Sequence, residues 1–356
     1  MLNLLRREEP IMDTYKVAVL EDEKKIVIHE AQMKKPEKKQ VLIRVASCAI
    51  CTLEQRVYSG VMKKYPFAGG HEAAGIVEAV GEGVKQIKKG DKVAVRLLNS
   101  CGECYYCRNG HENQCVVSFI AATQEIAMGP GGLAEYMMID AENVYKMADE
   151  LPLSYAALAE PLACCVHSIE NGKINLADDV VIVGAGIMGI FHIQLAKLRG
   201  ARVIVAEVDD NRLEVAKKMG ADVIINSSQE DPVERIKQLT DGRGADVVFC
   251  TAAIPEVASQ SVDMAGKLGR VVFYSSFHPN NPIEINPNKI HSAETIITGS
   301  VNPQRKDFLV ATKLLSNGLI DVSELISETY TLDNIEEAFH KAIDPYTYRI
   351  IVNCNI

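Results

Sequence analysis

Val180-Val181-Ile182-Val183-Gly184-Ala185-Gly186-Ile187-Met188-Gly189-Ile190 is a short β-branched run that leads straight into three spaced glycines, and a helical pattern follows through Phe191–Lys197. The three glycines of such a turn have separate tasks. One makes the tight bend, one lets backbone N–H groups approach a pyrophosphate, and one packs helix on strand. The helix N-terminus adds oriented donors and partial positive charge for the phosphates. Glycines after a strand are weak evidence alone, but Arg202–Glu207 reads as the next strand and ends in an acid close to the expected spacing of about 20 residues. The stretch therefore reads as a dinucleotide-binding turn, with Gly184, Gly186, Ile187, Met188 and Gly189 at the phosphates. Glu207 would accept the ribose hydroxyls and repel a 2′-phosphate, which favours NAD over NADP. Asp209 is a nearby competitor for that role, and Arg212 is an adenosine-side candidate that reads equally well as a helix-surface cation.

Working outward, strand-like runs at Val180–Val183, Val203–Glu207, Asp222–Ile225, Asp246–Cys250, Val271–Tyr274 and Thr295–Gly299 mostly alternate with helix patterns such as Arg212–Met219 and Val233–Leu239. That alternation predicts a doubly wound α/β unit around a parallel six-stranded sheet. Before it the pattern differs. Lys16–Leu20, Lys25–Ile28 and Val41–Val45 are short β-like runs between polar turns, which suggests a β-rich, barrel-like unit. Leu151–Glu170 is helical in pattern, with Glu160-Pro161 as a break or a start inside it. Phe308–Leu315 and Asn334–Ile343 read as amphipathic helices and Arg349–Val352 as a last strand.

Composition narrows the function. The chain has 356 residues, enough for two domains at roughly 100–200 residues each. A net charge of −9 argues against nucleic acid or an anionic membrane as the main partner. No transmembrane span is expected, because the most apolar long stretch, Leu151–Ile169, contains Glu160 and Pro161. Nor is a signal peptide expected: Leu4-Leu5 is followed at once by Arg6-Arg7-Glu8-Glu9. A cytoplasmic location follows as an expectation. Residues before Met12 read as a loose extension, with Met12 as an alternative start.

Of ten cysteines, Cys101, Cys104, Cys107 and Cys115 fall in a C-x2-C-x2-C-x7-C pattern. Four thiolates at such close spacing suit a closed tetrahedral zinc site that ties down a loop with little core of its own. Redox pairs are the alternative, and clustered free thiols on an intracellular loop would be a liability. His111, within this stretch, reads as a solvated loop position. Cys48, Cys164, Cys165, Cys250 and Cys354 read as small buried apolar residues.

The segment Gly70–Val95, the four-cysteine lobe, Ala159–Ser168 with its Ala-Glu-Pro, and Val183–Gly189 stand in the order seen in zinc-dependent medium-chain alcohol dehydrogenases, which this chain resembles from about Met12 onward. The resemblance implies a GroES-like β-rich catalytic domain in residues 1–165 and 301–356, with a Rossmann NAD-binding domain in 166–300. It looks most like the polyol and sugar-alcohol branch, with threonine dehydrogenases close by, because Glu160 stands where ethanol-type enzymes have a cysteine. It implies two zinc ions per chain, one structural at the four cysteines and one catalytic. Cys51 and His71 are the implied ligands of the catalytic ion, and Glu72 and Glu160 ligate directly or through water. Such a metal with an open position stabilises an alkoxide-like oxygen as hydride leaves its carbon. A homo-oligomer, dimer or tetramer, is also implied.

One departure touches the proton route. The family usually writes Cys-Gly-Ser/Thr-Asp, whose hydroxyl starts a proton relay. Here Thr52 replaces the glycine, Leu53 takes the hydroxyl's position, Glu54 the aspartate's, and Arg56 stands where a relay histidine often lies. Water on the zinc with Glu72 or Glu160 is the expected route, and Thr52 is the rival. Two readings remain. One is an NAD-dependent zinc enzyme interconverting a secondary hydroxyl of a polyol, sugar alcohol or sugar derivative with its ketone, with a threonine 3-dehydrogenase-like or simple secondary-alcohol substrate as alternatives. The other is a nucleotide-binding protein that keeps the fold without turnover. The full set of zinc ligands favours the enzyme.

Overall fold

The computed structural model describes residues 14–117, 119–120 and 126–355; the extension before Met12 and its alternative start lie outside them. The chain divides into two compact units. One is formed by the described residues of 1–97, 120–157 and 328–356, the other by those of 98–119 and 158–327.

The second unit contains the doubly wound sheet. Its strands run in the order Val223–Asn226, Arg202–Glu207, Asp179–Val183, Ala245–Cys250, Ala265–Phe273 and Ile296–Gly299, and every neighbouring pair is parallel. Val181, Val183, Ile204, Val248 and Val271 form the spine of its core, each almost wholly shielded from solvent. Burial on both faces is what near-continuous β-branched strands require. The order reverses beside Asp179–Val183, the first strand of this sheet in the chain, so the glycine turn lies at the topological switch where such sheets bind ligands.

Expected elements appear with small shifts. Pro161 lies in the first turn of a helix spanning Ala159–Gly172, where a missing N–H costs nothing, so Glu160-Pro161 is a helix start. The strand expected at Val271–Tyr274 begins six residues earlier, at Ala265.

The first unit is β-rich. A seven-stranded sheet includes the path Arg349–Asn353, Gln40–Ala49, Glu72–Val80, Lys92–Val95, and a separate hairpin pairs Thr14–Asp22 with Lys25–Gln32. Val41, Ile43, Val45, Val77, Val93 and Val352 fill its interior, closed by Phe339 and Ile335 of the helix Ile335–Ala342.

The division differs from the one drawn at residues 165 and 300. Residues 98–119, which carry the four cysteines, and the helix Arg305–Ser316 both group with the nucleotide-binding sheet. The reason is polar: Gln304 Nε2 donates to Gly110 O at 2.9 Å and to Asn113 Oδ1 at 3.2 Å, and Arg305 N donates to Glu112 Oε1 at 2.9 Å. Among the described residues no helix is long and apolar enough to cross a membrane.

Candidate functional site

In the first unit, Cys51, His71 and Glu72 bring a thiol, an imidazole and a carboxylate to one point, each offering a ligand atom within 4.8 Å of the others. Cys51 precedes the helix Thr52–Tyr58, and Glu72 opens the strand Glu72–Val80. Between them Gly70 holds φ at +100°, and a Cβ there would lie 2.4 Å from Leu133 N, so only glycine lets the chain turn His71 toward Cys51.

His71 is oriented from behind. Its Nδ1 lies 2.9 Å from Glu54 Oε1, which also accepts from Gly70 N at 2.9 Å. A carboxylate only accepts, so Nδ1 carries the proton and Nε2 is left for a metal. Burial opposes charge on both members of this pair. The His71–Glu54 attraction nevertheless holds the buried carboxyl below its ordinary range, and Glu54 with Cys51 carries the imidazole well above its own. Burial, then the Glu72 carboxylate, pushes the Cys51 thiol up. A cation entering this set must displace protons, as metal binding to thiol and imidazole does.

Arg349, read from sequence only as the start of a strand, lies against the same cluster. Its Nη2 and Nε donate to the two Glu72 oxygens at 2.7 and 2.9 Å, and Nη2 reaches Cys51 Sγ at 3.6 Å. Glu72 is fully buried, and the fork-on-carboxylate geometry supplies the partner that a buried charge requires. The donor set fits zinc: a thiol, an imidazole nitrogen and a carboxylate converge, although Arg349 shares the Glu72 carboxylate and reaches the Cys51 sulfur at 3.6 Å. The sequence signal for Arg349 is slight, a single cation heading an apolar strand.

Thr52 is exposed at the start of its helix, and Leu53 packs against the core of the first unit. Glu160 belongs to the second unit, in the first turn of the helix Ala159–Gly172, and its Oε1 accepts from Cys164 Sγ at 3.4 Å. Cys164, read as an apolar filler, is half-buried and has this polar contact.

The four-cysteine lobe gathers as its spacing predicts. Cys101, Cys104, Cys107 and Cys115 offer sulfurs within 4.8 Å of one another. Cys101 and Cys115 Sγ lie 3.5 Å apart, and all four are free thiols. Backbone N–H groups bring the Cys104 thiol down to about 6, whereas burial and the neighbouring cysteines push Cys107 up to about 12. Sulfurs this close repel one another as thiolates, and a divalent cation at their centre would offset that repulsion. His111, expected in solvent, is exposed, with its Nδ1 3.4 Å from Gln304 Nε2.

At the nucleotide turn, Gly184 holds φ at +93°, and a Cβ on Gly189 would lie 2.0 Å from Gly184 O. A Cβ on Gly186 would meet nothing within 4 Å, which leaves the open side from which a pyrophosphate can approach. Ile187 is buried, and Met188 O accepts from His192 Nδ1 at 2.7 Å. Glu207 closes its strand nearly buried, with Oε2 accepting from Ala185 N at 2.7 Å and Oε1 from Val208 N at 2.7 Å and Asp209 N at 3.3 Å. Asp209 is spent elsewhere: it caps the next helix by accepting from Arg212 N at 2.9 Å. Arg212 lies half-buried in the first turn of that helix. The turn leaves room for a dinucleotide at Gly186, and Glu207 stands beside it at the end of the neighbouring strand.

Comparison with known proteins gives the same answer. The family model of the alcohol dehydrogenase GroES-like domain matches residues 37–149, and that of zinc-binding dehydrogenases matches residues 188–317. The D-arabitol-phosphate dehydrogenase of Enterococcus avium is 33% identical over 323 residues, 89% of this chain and 90% of that protein. The L-threonine 3-dehydrogenase of Pyrococcus abyssi is 34% identical over 317 residues, 87% of this chain and 90% of its own. A zinc-binding dehydrogenase of Sinorhizobium meliloti, solved with NADP, matches with a TM-score of 0.89 at 27% identity, covering 96% of this chain and 99% of that one.

The chain belongs to the zinc-binding dehydrogenases. Within them it falls in the branch that holds the polyol and threonine enzymes, and it is a nicotinamide-dependent oxidoreductase of CH–OH groups.

Proposed function

We propose that the protein transfers hydride between NAD and a secondary hydroxyl of a polyol, sugar alcohol or their phosphates. The convergence of Cys51, His71 and a buried carboxylate within 4.8 Å carries this reading. A threonine-type amino alcohol is the second reading, supported by the 34% identity to a threonine enzyme. Leu53 favours a polyol over a simple alcohol, because a neighbouring substrate hydroxyl can assist where the chain has none.

Zinc at this site would polarise the substrate oxygen, while the nicotinamide accepts hydride. The chain's own residues prepare that step. Glu54 fixes the His71 ring, and Arg349 holds the Glu72 carboxylate in place with two hydrogen bonds. The glycine turn seats the pyrophosphate, and Glu207 selects a ribose without a 2′-phosphate. A proton on either Glu72 oxygen would compete with the Arg349 N–H that oxygen already accepts, so Glu160 is our choice for the substrate proton, with Thr52 as rival. Glu160 enters this proposal on the sequence resemblance alone. A four-thiolate zinc at Cys101, Cys104, Cys107 and Cys115, supported by their spacing and their convergence, a dimeric or tetrameric assembly, supported by the resemblance, and a cytoplasmic location, read from the sequence, complete the proposal.

The test follows NADH absorbance with hexitols, pentitols, their phosphates and threonine, beside elemental analysis. We expect a polyol or polyol phosphate to be the best substrate and two zinc ions per chain. Cys51→Ser should retain the fold and one zinc. Threonine turning over faster than every polyol would overturn the substrate class. One zinc or none in metal-replete wild type would overturn the two-site reading.

A further inference from the structure

Side-chain hydrogen bonds fasten the four-cysteine lobe to the rest of the second unit, and their directions follow one from another. A backbone carbonyl only accepts, so the Gln304 amide presents Nε2 to Gly110 O at 2.9 Å, and that nitrogen donates to Asn113 Oδ1 at 3.2 Å. Val301 O likewise accepts from Asn113 Nδ2 at 3.0 Å. Both amides are thereby fixed, and what Asn113 turns to His167 Nε2, 3.2 Å away, is a donor. His167 Nε2 must therefore accept. Its Nδ1 donates to Oδ2 of the buried Asp307, which also accepts from Gln304 N at 2.9 Å. Among the described residues the ring hydrogen-bonds to Asn113 and Asp307 alone.

We propose that His167 is a pH-sensitive latch on this lobe: neutral, it accepts from Asn113 and holds Glu112–Gln114 against the helices Ala159–Gly172 and Arg305–Ser316; protonated, it turns a donor toward a donor and the lobe loosens. The two contacts of the ring answer a proton in opposite ways. The Asp307 contact becomes a charge-assisted pair and strengthens, whereas Nε2–H then points at an N–H of Asn113. Turning the Asn113 amide over would restore that contact only by breaking those to Val301 and Gln304. The buried pair therefore survives the proton, and the lobe loses its hold. A fastened lobe takes up a proton less readily than a loosened one, so the fastening is present at the higher pH and lost as the pH falls. Histidine is the side chain suited to such a change, between about pH 5 and 8. The other charged and titratable groups on the packed elements are engaged away from the ring. Cys164 contacts Glu160, Glu170 pairs with Arg199, and Glu112 accepts from Arg305 N. His111 lies near Gln304, His192 meets Ser168, Arg270 pairs with Asp178, and Lys306 is exposed.

Hydrogen exchange of the intact, zinc-replete protein tests this, expressed as protection factors so that the intrinsic pH dependence of exchange drops out. From about pH 8 to about pH 5.5, protection over Glu112–Gln114 should fall at least about 5-fold in wild type. His167→Gln keeps a donor and an acceptor but does not titrate, and its protection there should change less than about 2-fold. Asn113→Ala has no latch to release. At the higher pH it should be as weakly protected as wild type is at the lower, with no further fall. His111→Gln removes the lobe's own imidazole, whose Nδ1 lies 3.4 Å from Gln304 Nε2, and should respond as wild type does. All four proteins carry the same cysteines, so any titration of the thiols is common to them.

Equal falls in wild type and His167→Gln, or no fall in wild type, would overturn the latch. So would a fall that persists in Asn113→Ala or vanishes in His111→Gln, because the responding group would then be another. If His167→Gln does not fold, the comparison of wild type with Asn113→Ala decides.

Discussion

Arg349 decides what Glu72 can do. A carboxylate with no exposure to solvent is tolerated because both its oxygens receive a guanidinium N–H. Removing one partner of a buried pair leaves an uncompensated charge, which typically costs about 3–5 kcal/mol. Arg349→Met should therefore lower the stability of the zinc-replete protein by that order in urea denaturation. The double variant Arg349→Met/Glu72→Leu should recover much of it. A loss below about 1 kcal/mol in the single variant would show that the ion pair carries little. At this scale the sequence was half legible. Cys51, His71, Glu72 and Glu54 were named through the resemblance to zinc-dependent medium-chain alcohol dehydrogenases, since their separation in sequence says nothing by itself. Arg349 was not, since nothing local distinguishes a cation that enters a buried pair from one that ends in solvent.

Two helices show how the elements are joined. His192, on Ile187–Leu198, lies fully buried with Nδ1 2.7 Å from Met188 O and Nε2 2.8 Å from Ser168 Oγ on Ala159–Gly172. A carbonyl can only accept, so Nδ1–H donates to it and Nε2 accepts from the hydroxyl. Burial holds this neutral ring's pKa down at about 4. Because the folded value lies below the unfolded one of about 6.5, its contribution is complete above pH 6.5 and is lost as the pH falls toward 4. The full difference is on the order of 3 kcal/mol. The melting temperature of wild type should fall across that window, and His192→Gln should fall less from its own value at pH 7. Equal pH slopes in the two proteins would remove His192 as the cause.

The elements themselves were well marked in sequence where β-branched runs or amphipathic periods are strong. Ala265–Phe273 starts early because Ala-Gly-Lys-Leu-Gly-Arg is strand only by virtue of its neighbour Ala245–Cys250. Tertiary pairing there overrides a sequence that reads as a turn.

For the whole molecule, the grouping of the four-cysteine lobe was the least legible feature. It lies in sequence between strands of the first unit, yet its side chains bond to the second. Asn113 Nδ2 donates to Val301 O at 3.0 Å and lies 3.2 Å from His167 Nε2, while His167 Nδ1 faces Asp307 Oδ2 at 2.9 Å. These are long-range polar contacts, which periodicity does not encode. A metal held by this lobe would through them support its own unit. Cys104→Ser should lose one zinc and speed hydrogen exchange in Glu112–Gln114 and at the start of Arg305–Ser316, with Cys51 still metallated. Loss of that zinc with unchanged exchange would confine the metal's effect to the loop itself.

The two members of the Glu72–Arg349 pair are 277 residues apart. At a synthesis rate of about 5–20 residues per second, roughly 14–55 seconds separate the two side chains on the ribosome. Through that interval the glutamate has no guanidinium to meet, and its burial must wait. The nucleotide-binding stretch 158–327 is made wholly within it, and the lobe it holds has already emerged. The order of synthesis thus lets the second unit close while the carboxylate of the first is still in water, and the cluster of Cys51, His71 and Glu72 gains its Arg349 contacts only near the end of the chain.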